Sequence, residues 1–175
     1  MQELPYYSIP DEPQHINSAS TIARFVDGLG FRYRWATEGL TENEIQFRPV
    51  ESSMNMLEVV HHIYNIVHWV NRSFGGDTKY DKSLSSFEEL RKTTLELLEE
   101  LSQRLKQTPD STIGTIRIPR RGTEPSPSFW FALNGPIADA LTHVGQITSW
   151  RRMAGNPQPK GVDVFNGKKH DMDNV

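Results

Sequence analysis

Residues 55–74, Asn-Met-Leu-Glu-Val-Val-His-His-Ile-Tyr-Asn-Ile-Val-His-Trp-Val-Asn-Arg-Ser-Phe, carry the cleanest helical period in the chain. Met56, Val59, Val60, Ile63, Val67, Val70 and Phe74 recur at intervals of three and four, which is one apolar face of an α-helix. Asn55 with Glu58 has the spacing of a capping box at the start, and Gly75-Gly76 supplies a stop. A helix with one such face has to bury it against other helices. The rest of the chain must therefore supply partners of the same kind.

Towards the N-terminus, Thr41 and Glu44 are spaced to cap a short turn that Phe47, Arg48 and Pro49 close. Before it, from about Ser18, the run Ile22, Phe25, Val26, Leu29, Tyr33, Ala36 and Leu40 predicts the first long helix. Gly28 and Gly30 inside that run each cost roughly 1 kcal/mol of helix propensity, so close helix contact is expected there, with room for a ligand as the alternative. Residues 1–16, with Pro5, Pro10 and Pro13, read as an extended arm anchored by Tyr6, Tyr7 and Ile9.

Towards the C-terminus, a polar connector over 75–85 leads to a third helix. Ser86 and Glu89 cap it, and Phe87, Leu90, Thr94, Leu97, Leu101 and Leu105 form its stripe. Residues 107–127 lack a helical period and read as a long loop with a hairpin-like piece at Ile113, Ile116 and Ile118. Asn134-Gly135-Pro136 marks a break or a kinked start to the last helix. That helix contains Asp-Ala-Leu-Thr-His-Val-Gly-Gln-Ile-Thr-Ser-Trp-Arg-Arg-Met-Ala-Gly-Asn-Pro, residues 139–157. Ile137, Ala140, Leu141, Val144, Ile147 and Thr148 are its expected core stripe, and Gly145 is expected to allow close backbone approach. In the tail, 158–175, Val162, Val164 and Phe165 suggest a packed extended segment, with 167–175 polar and frayed. The expectation is an all-α four-helix bundle in one domain, 1–175.

Composition excludes several functions. The 175 residues are 36% hydrophobic, carry a formal charge of -3 and include no cysteine. A net negative chain has no global field for nucleic acid, and no apolar run reaches the ~18 residues that would span a bilayer. Without cysteine there is no disulfide, no thiolate zinc site and no cysteine nucleophile. The sequence opens without a basic, then apolar leader, and a cytoplasmic location is the expectation.

The chemistry-bearing residues sort by helical phase. On the helix over 55–74, His61 and His68 project away from the apolar stripe and read as solvated imidazoles. His62 lies on the flank of the stripe, in a column with Ile66 and Trp69. On the last helix Asp139 and His143 stand one turn apart on a similar flank. One acid and two histidines at the core edges of neighbouring helices are suitable ligands for a divalent cation. The competing reading gives His62 a hydrogen-bond partner only and pairs Asp139 with Arg24 or Arg32. Gln146, near the Asp139 and His143 column, orients a ligand or packs. Arg117, Arg120 and Arg121 in the long loop form a basic cluster, and Arg120 with Arg121 offers contacts for an anionic substrate group.

The strings 55–63 and Thr142–Pro157 resemble the DinB/YfiT-like superfamily of metal-binding four-helix bundles, and Gly28–Leu40 is similar to it as well. The resemblance implies one histidine ligand from the second long helix and two ligands four residues apart on the last, which fall on His62, Asp139 and His143. Histidine is usual in the family where this chain has Asp139. A two-histidine, one-carboxylate set suits zinc or nickel, and also iron or manganese. Members of the family include thiol-dependent S-transferases and isomerase-like and hydrolase-like enzymes. The expectation is thus a small-molecule metalloenzyme, with a low-molecular-weight thiol as an implied cofactor. The alternative is a non-catalytic bundle acting through a protein interface, for which a homodimer is the fitting assembly.

Overall fold

The computed structural model describes residues 3–171. Four long helices form the bundle: α1 (Ser18–Ala36), α3 (Met56–Ser73), α4 (Phe87–Gln107) and α7 (Ala138–Met153). Short helical turns α2 (Glu42–Ile45), α5 (Asp110–Ile113) and α6 (Phe129–Ala132) lie between them, and strands β1 (Val162–Asp163) and β2 (Lys168–Lys169) pair antiparallel at the end. Helices α1 and α3 each pack against both α4 and α7. The enclosed core includes Val59, Val60 and Ile63 of α3, Leu90 and Leu105 of α4, and Ile147 of α7, all fully buried. Full burial of a side chain of this size contributes about 1.5–3 kcal/mol.

Capping fixes the helix starts where the sequence places them. Asn55 Oδ1 accepts from the Glu58 amide at 2.8 Å while Glu58 Oε2 accepts from the Asn55 amide at 2.7 Å. Glu44 Oε2 accepts from the Thr41 amide at 2.8 Å. Ser86 caps α4, and Asn17, not singled out from sequence, caps α1. Each cap of this type is worth about 1 kcal/mol.

The first helix ends at Ala36, so Leu40 lies outside it, half-buried. Phe25 departs from its expected core position, being 48% exposed. Gly30 makes room for the arm and not for another helix: a Cβ there would meet the Tyr6 ring at 2.4 Å. Tyr6 is buried, and its hydroxyl donates to Asp27 Oδ1 at 3.2 Å. Trp35 Nε1 donates to the Tyr7 carbonyl, and Arg34 reaches the Leu4 and Pro5 carbonyls, so the arm is extended along α1.

The 107–127 segment is only partly as expected. Ile113 ends the helical turn α5, whereas Arg117 forms an isolated antiparallel bridge with Ser128 and the Ile118 amide donates to the Pro127 carbonyl. Beyond α6, residues Leu133–Ile137 wind as a π-helical turn containing Pro136 before α7 begins. Proline has no amide to complete an α-helical bond, and the wider turn absorbs the extra residue. The kinked start is the correct alternative at Asn134-Gly135-Pro136.

Arg151 is 1% exposed. Its guanidinium donates to the carbonyls of Trp35 and Ala36 at the end of α1 and to the carbonyl of Asn156. Asn156 Nδ2 in turn donates to Glu44 Oε2 at 2.7 Å. One cation thereby closes the ends of α1, α2 and α7, using carbonyls that helix ends leave free. In the tail, Val162 and Val164 pack on the core as expected, but the Phe165 ring is 93% exposed. The expected fraying over 167–175 is corrected at its start, where Lys168–Lys169 is a strand and the Gly167 carbonyl accepts from the Ile9 amide at 2.8 Å. Residues 172–175, and residues 1–2 of the arm, lie outside the described residues.

Candidate metal centre

The contact between α3 and α7 brings three of the singled-out side chains together. His62 projects from the flank of α3, beside fully buried Ile63. Asp139 lies in the first turn of α7, and His143 one turn later on the same face. The Asp139 carboxylate sits between the two imidazoles. Its Oδ2 is 2.9 Å from His62 Nε2 and its Oδ1 is 3.7 Å from His143 Nε2. The rings meet edge to face, with centroids 4.8 Å apart. Side-chain exposure is 36% for His62, 47% for Asp139 and 15% for His143, so the group opens to solvent on the carboxylate side.

These atoms can hold a divalent ion. One ligand atom from each of the three residues lies within 4.8 Å of the others, and among the described residues no fourth His, Cys, Asp or Glu joins the group. Nitrogen and oxygen ligands bonded at 2.0–2.2 Å to one ion stand about 3.0–3.6 Å from each other. Asp139 comes close to that range with each imidazole, at 2.9 Å through Oδ2 and 3.7 Å through Oδ1, while the three-residue group as a whole spreads to 4.8 Å. Arg24 instead bonds the Pro10 carbonyl, and Arg32 bonds the carbonyls of Gly28 and Val164. The arginine pairing considered for Asp139 is therefore not formed.

Gln146 has a definite task. Its Oε1 is 2.8 Å from His143 Nδ1, so Nδ1 carries the proton and donates, leaving the Nε2 lone pair to face Asp139 and any ion. The signal lay in the sequence as an i, i+3 pair, though the partner could equally have been a ligand.

Beside Asp139 lies an open groove of roughly 480 Å3, walled by Ile66, Trp69, Phe131 and Pro136, with Arg120 on its rim. Trp69 Nε1 donates to the Pro119 carbonyl at 2.8 Å, which holds the long loop against α3. The Arg120 guanidinium stands 5.7 Å from the Phe131 ring centroid. Arg121 is exposed and does not line the groove, and Arg117 bonds the carbonyls of Gly114 and Ile116. The groove walls were legible in part, because Ile66 and Trp69 share the His62 column. Phe131 was not, since its placement depends on the loop and the π turn.

The other histidines stand apart from this group. His61 is half-buried. His68 corrects the expectation of a solvated imidazole: it is 5% exposed, packs between Tyr64 and Tyr80, and donates from Nε2 to the Thr78 carbonyl at 2.8 Å. The connector over 75–85, folded back on α3, covers it. Gly145 is also corrected, because nothing lies within 4 Å of the position its Cβ would take.

The family profile of the DinB superfamily matches residues 31–147, a span that contains His62, Asp139, His143 and Gln146. No curated protein and no solved structure matches the chain.

Proposed function

The chain belongs to the DinB superfamily, and we propose that it is a small-molecule metalloenzyme in which His62, Asp139 and His143 hold one divalent cation beside the Trp69–Phe131 groove. The observation that carries this reading is the Asp139 carboxylate placed between two imidazole nitrogens at ligand spacing, open to solvent on its free side. Structural zinc is ordinarily four-coordinate, whereas three protein ligands leave positions for water or substrate. Two nitrogens and a carboxylate suit zinc or nickel first, and iron or manganese next. An ion there supplies Lewis acidity, lowering the pKa of a bound water or of a low-molecular-weight thiol. The reaction classes this serves are thiol-dependent group transfer and hydrolysis.

The chain's own residues do the positioning. Gln146 fixes the His143 tautomer. Trp69, Phe131 and Ile66 receive an apolar body and exclude water from one side of the group. Arg120, which pairs with no carboxylate among the described residues, faces an anionic substituent from the rim. A second reading has one observation in its favour: the direct His62–Asp139 hydrogen bond joins α3 to α7 and would serve as a structural staple.

Elemental analysis after growth with zinc, nickel and manganese separates these readings. The wild type is expected to carry one equivalent of metal, and His62→Ala and Asp139→Ala to lose it while keeping their helical content. A panel pairing thiols with electrophiles, together with activated esters, is expected to show metal-dependent turnover. Absence of stoichiometric metal from the wild type overturns the proposal. Bound metal whose removal unfolds the protein, with no turnover in the panel, would assign the group to the staple.

A further inference from the structure

A second cleft, partly open to solvent and lined mostly by apolar side chains, lies elsewhere, on the outer face of α1. It has a volume of about 610 Å3 and shares no lining residue with the groove at Asp139. Leu29, Leu141 and Val164 contribute to its walls, and the rings of Phe25 and Phe165 stand at its mouth. Those rings are 48% and 93% exposed, an arrangement a globular surface keeps where something covers it. The Phe165 position is built: Asp163 Oδ1 accepts from the amides of Phe165 and Asn166, which turns the chain and presents the ring.

The same cavity carries two cations. Arg24, Gly28 and Arg32 form one column at intervals of four along α1. Gly28 lets the Arg32 guanidinium fold back over α1, since a Cβ there would come within 3.2 Å of Arg32 Nη1. Each guanidinium is held by backbone carbonyls alone, Arg24 by Pro10 and Arg32 by Gly28 and Val164. Neither pairs with a carboxylate among the described residues, although the chain as a whole is net negative. Two half-buried cations left without counter-ions at the edge of an apolar cavity are complementary to an apolar body with one anionic end.

We propose that this cavity is a second ligand site, distinct from the metal group, which binds a soluble alkyl or aryl carboxylate with its apolar body between Leu141, Phe25 and Phe165 and its carboxylate between Arg24 and Arg32. The site stands whether or not the metalloenzyme reading does. Titration calorimetry with decanoate below its micellar range, on protein dialysed against a chelator, removes the metal as a carboxylate acceptor. Saturable one-to-one binding is expected. Arg24→Gln and Arg32→Gln should each weaken it about tenfold, the factor for losing one charge-assisted bond, and Arg24→Lys should recover most of the loss. Phe165→Ser, which removes a ring that buries almost nothing in the free protein, should weaken decanoate without lowering the melting temperature.

Three results would overturn the proposal. Equal binding of decyltrimethylammonium would show an apolar surface without anion selection. Tight association with phosphatidylglycerol vesicles in the absence of any saturable response to decanoate would give the face to a membrane. A dimer by sedimentation that Phe165→Asp makes monomeric would give it to a second copy of the chain.

Discussion

Gln146 is the residue that orients the His143 imidazole, because it bonds His143 and no other side chain. Gln146→Leu should leave the fold intact and weaken metal affinity about tenfold or more, the usual effect of removing the partner of a ligating imidazole. Competition with a chromophoric chelator measures it, and an unchanged affinity would reduce Gln146 to packing. Asp139→His restores the residue usual in the resembled family. A three-histidine set should still bind zinc stoichiometrically, with a lower affinity for manganese, which favours oxygen ligands. Helical phase singled out the three residues that the fold brings together at this scale, since His62, Asp139 and His143 sit on helix flanks. It misplaced His68, whose cover comes from Tyr80 in a connector that has no period to read. Arg151 was equally hidden: in sequence it is one of two arginines ending a helix, and only the folded chain shows which of them points inward.

At the scale of the element, two glycines on helices should respond to alanine with opposite signs. Gly30→Ala drives a methyl into the Tyr6 ring at a 2.4 Å approach and should destabilise by about 1–3 kcal/mol, as other overpacked sites do. Gly145→Ala meets nothing within 4 Å and should stabilise by about 0.5–1 kcal/mol through helix propensity. Urea denaturation of the two variants checks both, and equal signs would contradict the packing described. Helices α3 and α4 were legible because caps and stripes agreed at their starts, and α1 and α7 were legible by their stripes. The segment from Gln107 to Ile137 was not, because its form depends on contacts distant in sequence, such as Trp69 with Pro119 and Phe74 with Phe129. The four short turns α2, α5, α6 and the π turn are each too brief for periodicity to separate them from loop, with only the Thr41–Glu44 box giving one away.

For the whole molecule, Glu44 sets an acid limit. Burial acts to raise its carboxyl pKa, but bonds from the Thr41 amide, from Asn156 and from the Thr41 hydroxyl, with the Arg151 charge, outweigh it and hold the folded value below the ordinary 4.5. A depressed folded pKa adds stability above the unfolded value, and that stability is lost as pH falls through the folded one. Wild type should therefore exceed Glu44→Gln in stability at pH 7, by a margin that shrinks below pH 4.5. Denaturant midpoints at pH 7, 5 and 3 follow the margin, and a constant difference would show that Glu44 acts by packing alone. The two ends of the described chain meet at the α1 cavity, Ile9 from the arm and Val164 with Phe165 from the tail, and the segments are joined by the bond from the Ile9 amide to the Gly167 carbonyl. Segments so remote in sequence, tied to each other and to α1 through the Arg24 bond to Pro10 and the Arg32 bond to Val164, should detach together as one cooperative unit while the helices stay folded. The amides of Ile9 and His170 are then expected to exchange with deuterium at a common rate, well before those in the middle of α3 and α4, and a carboxylate seated in the cavity should slow that pair alone.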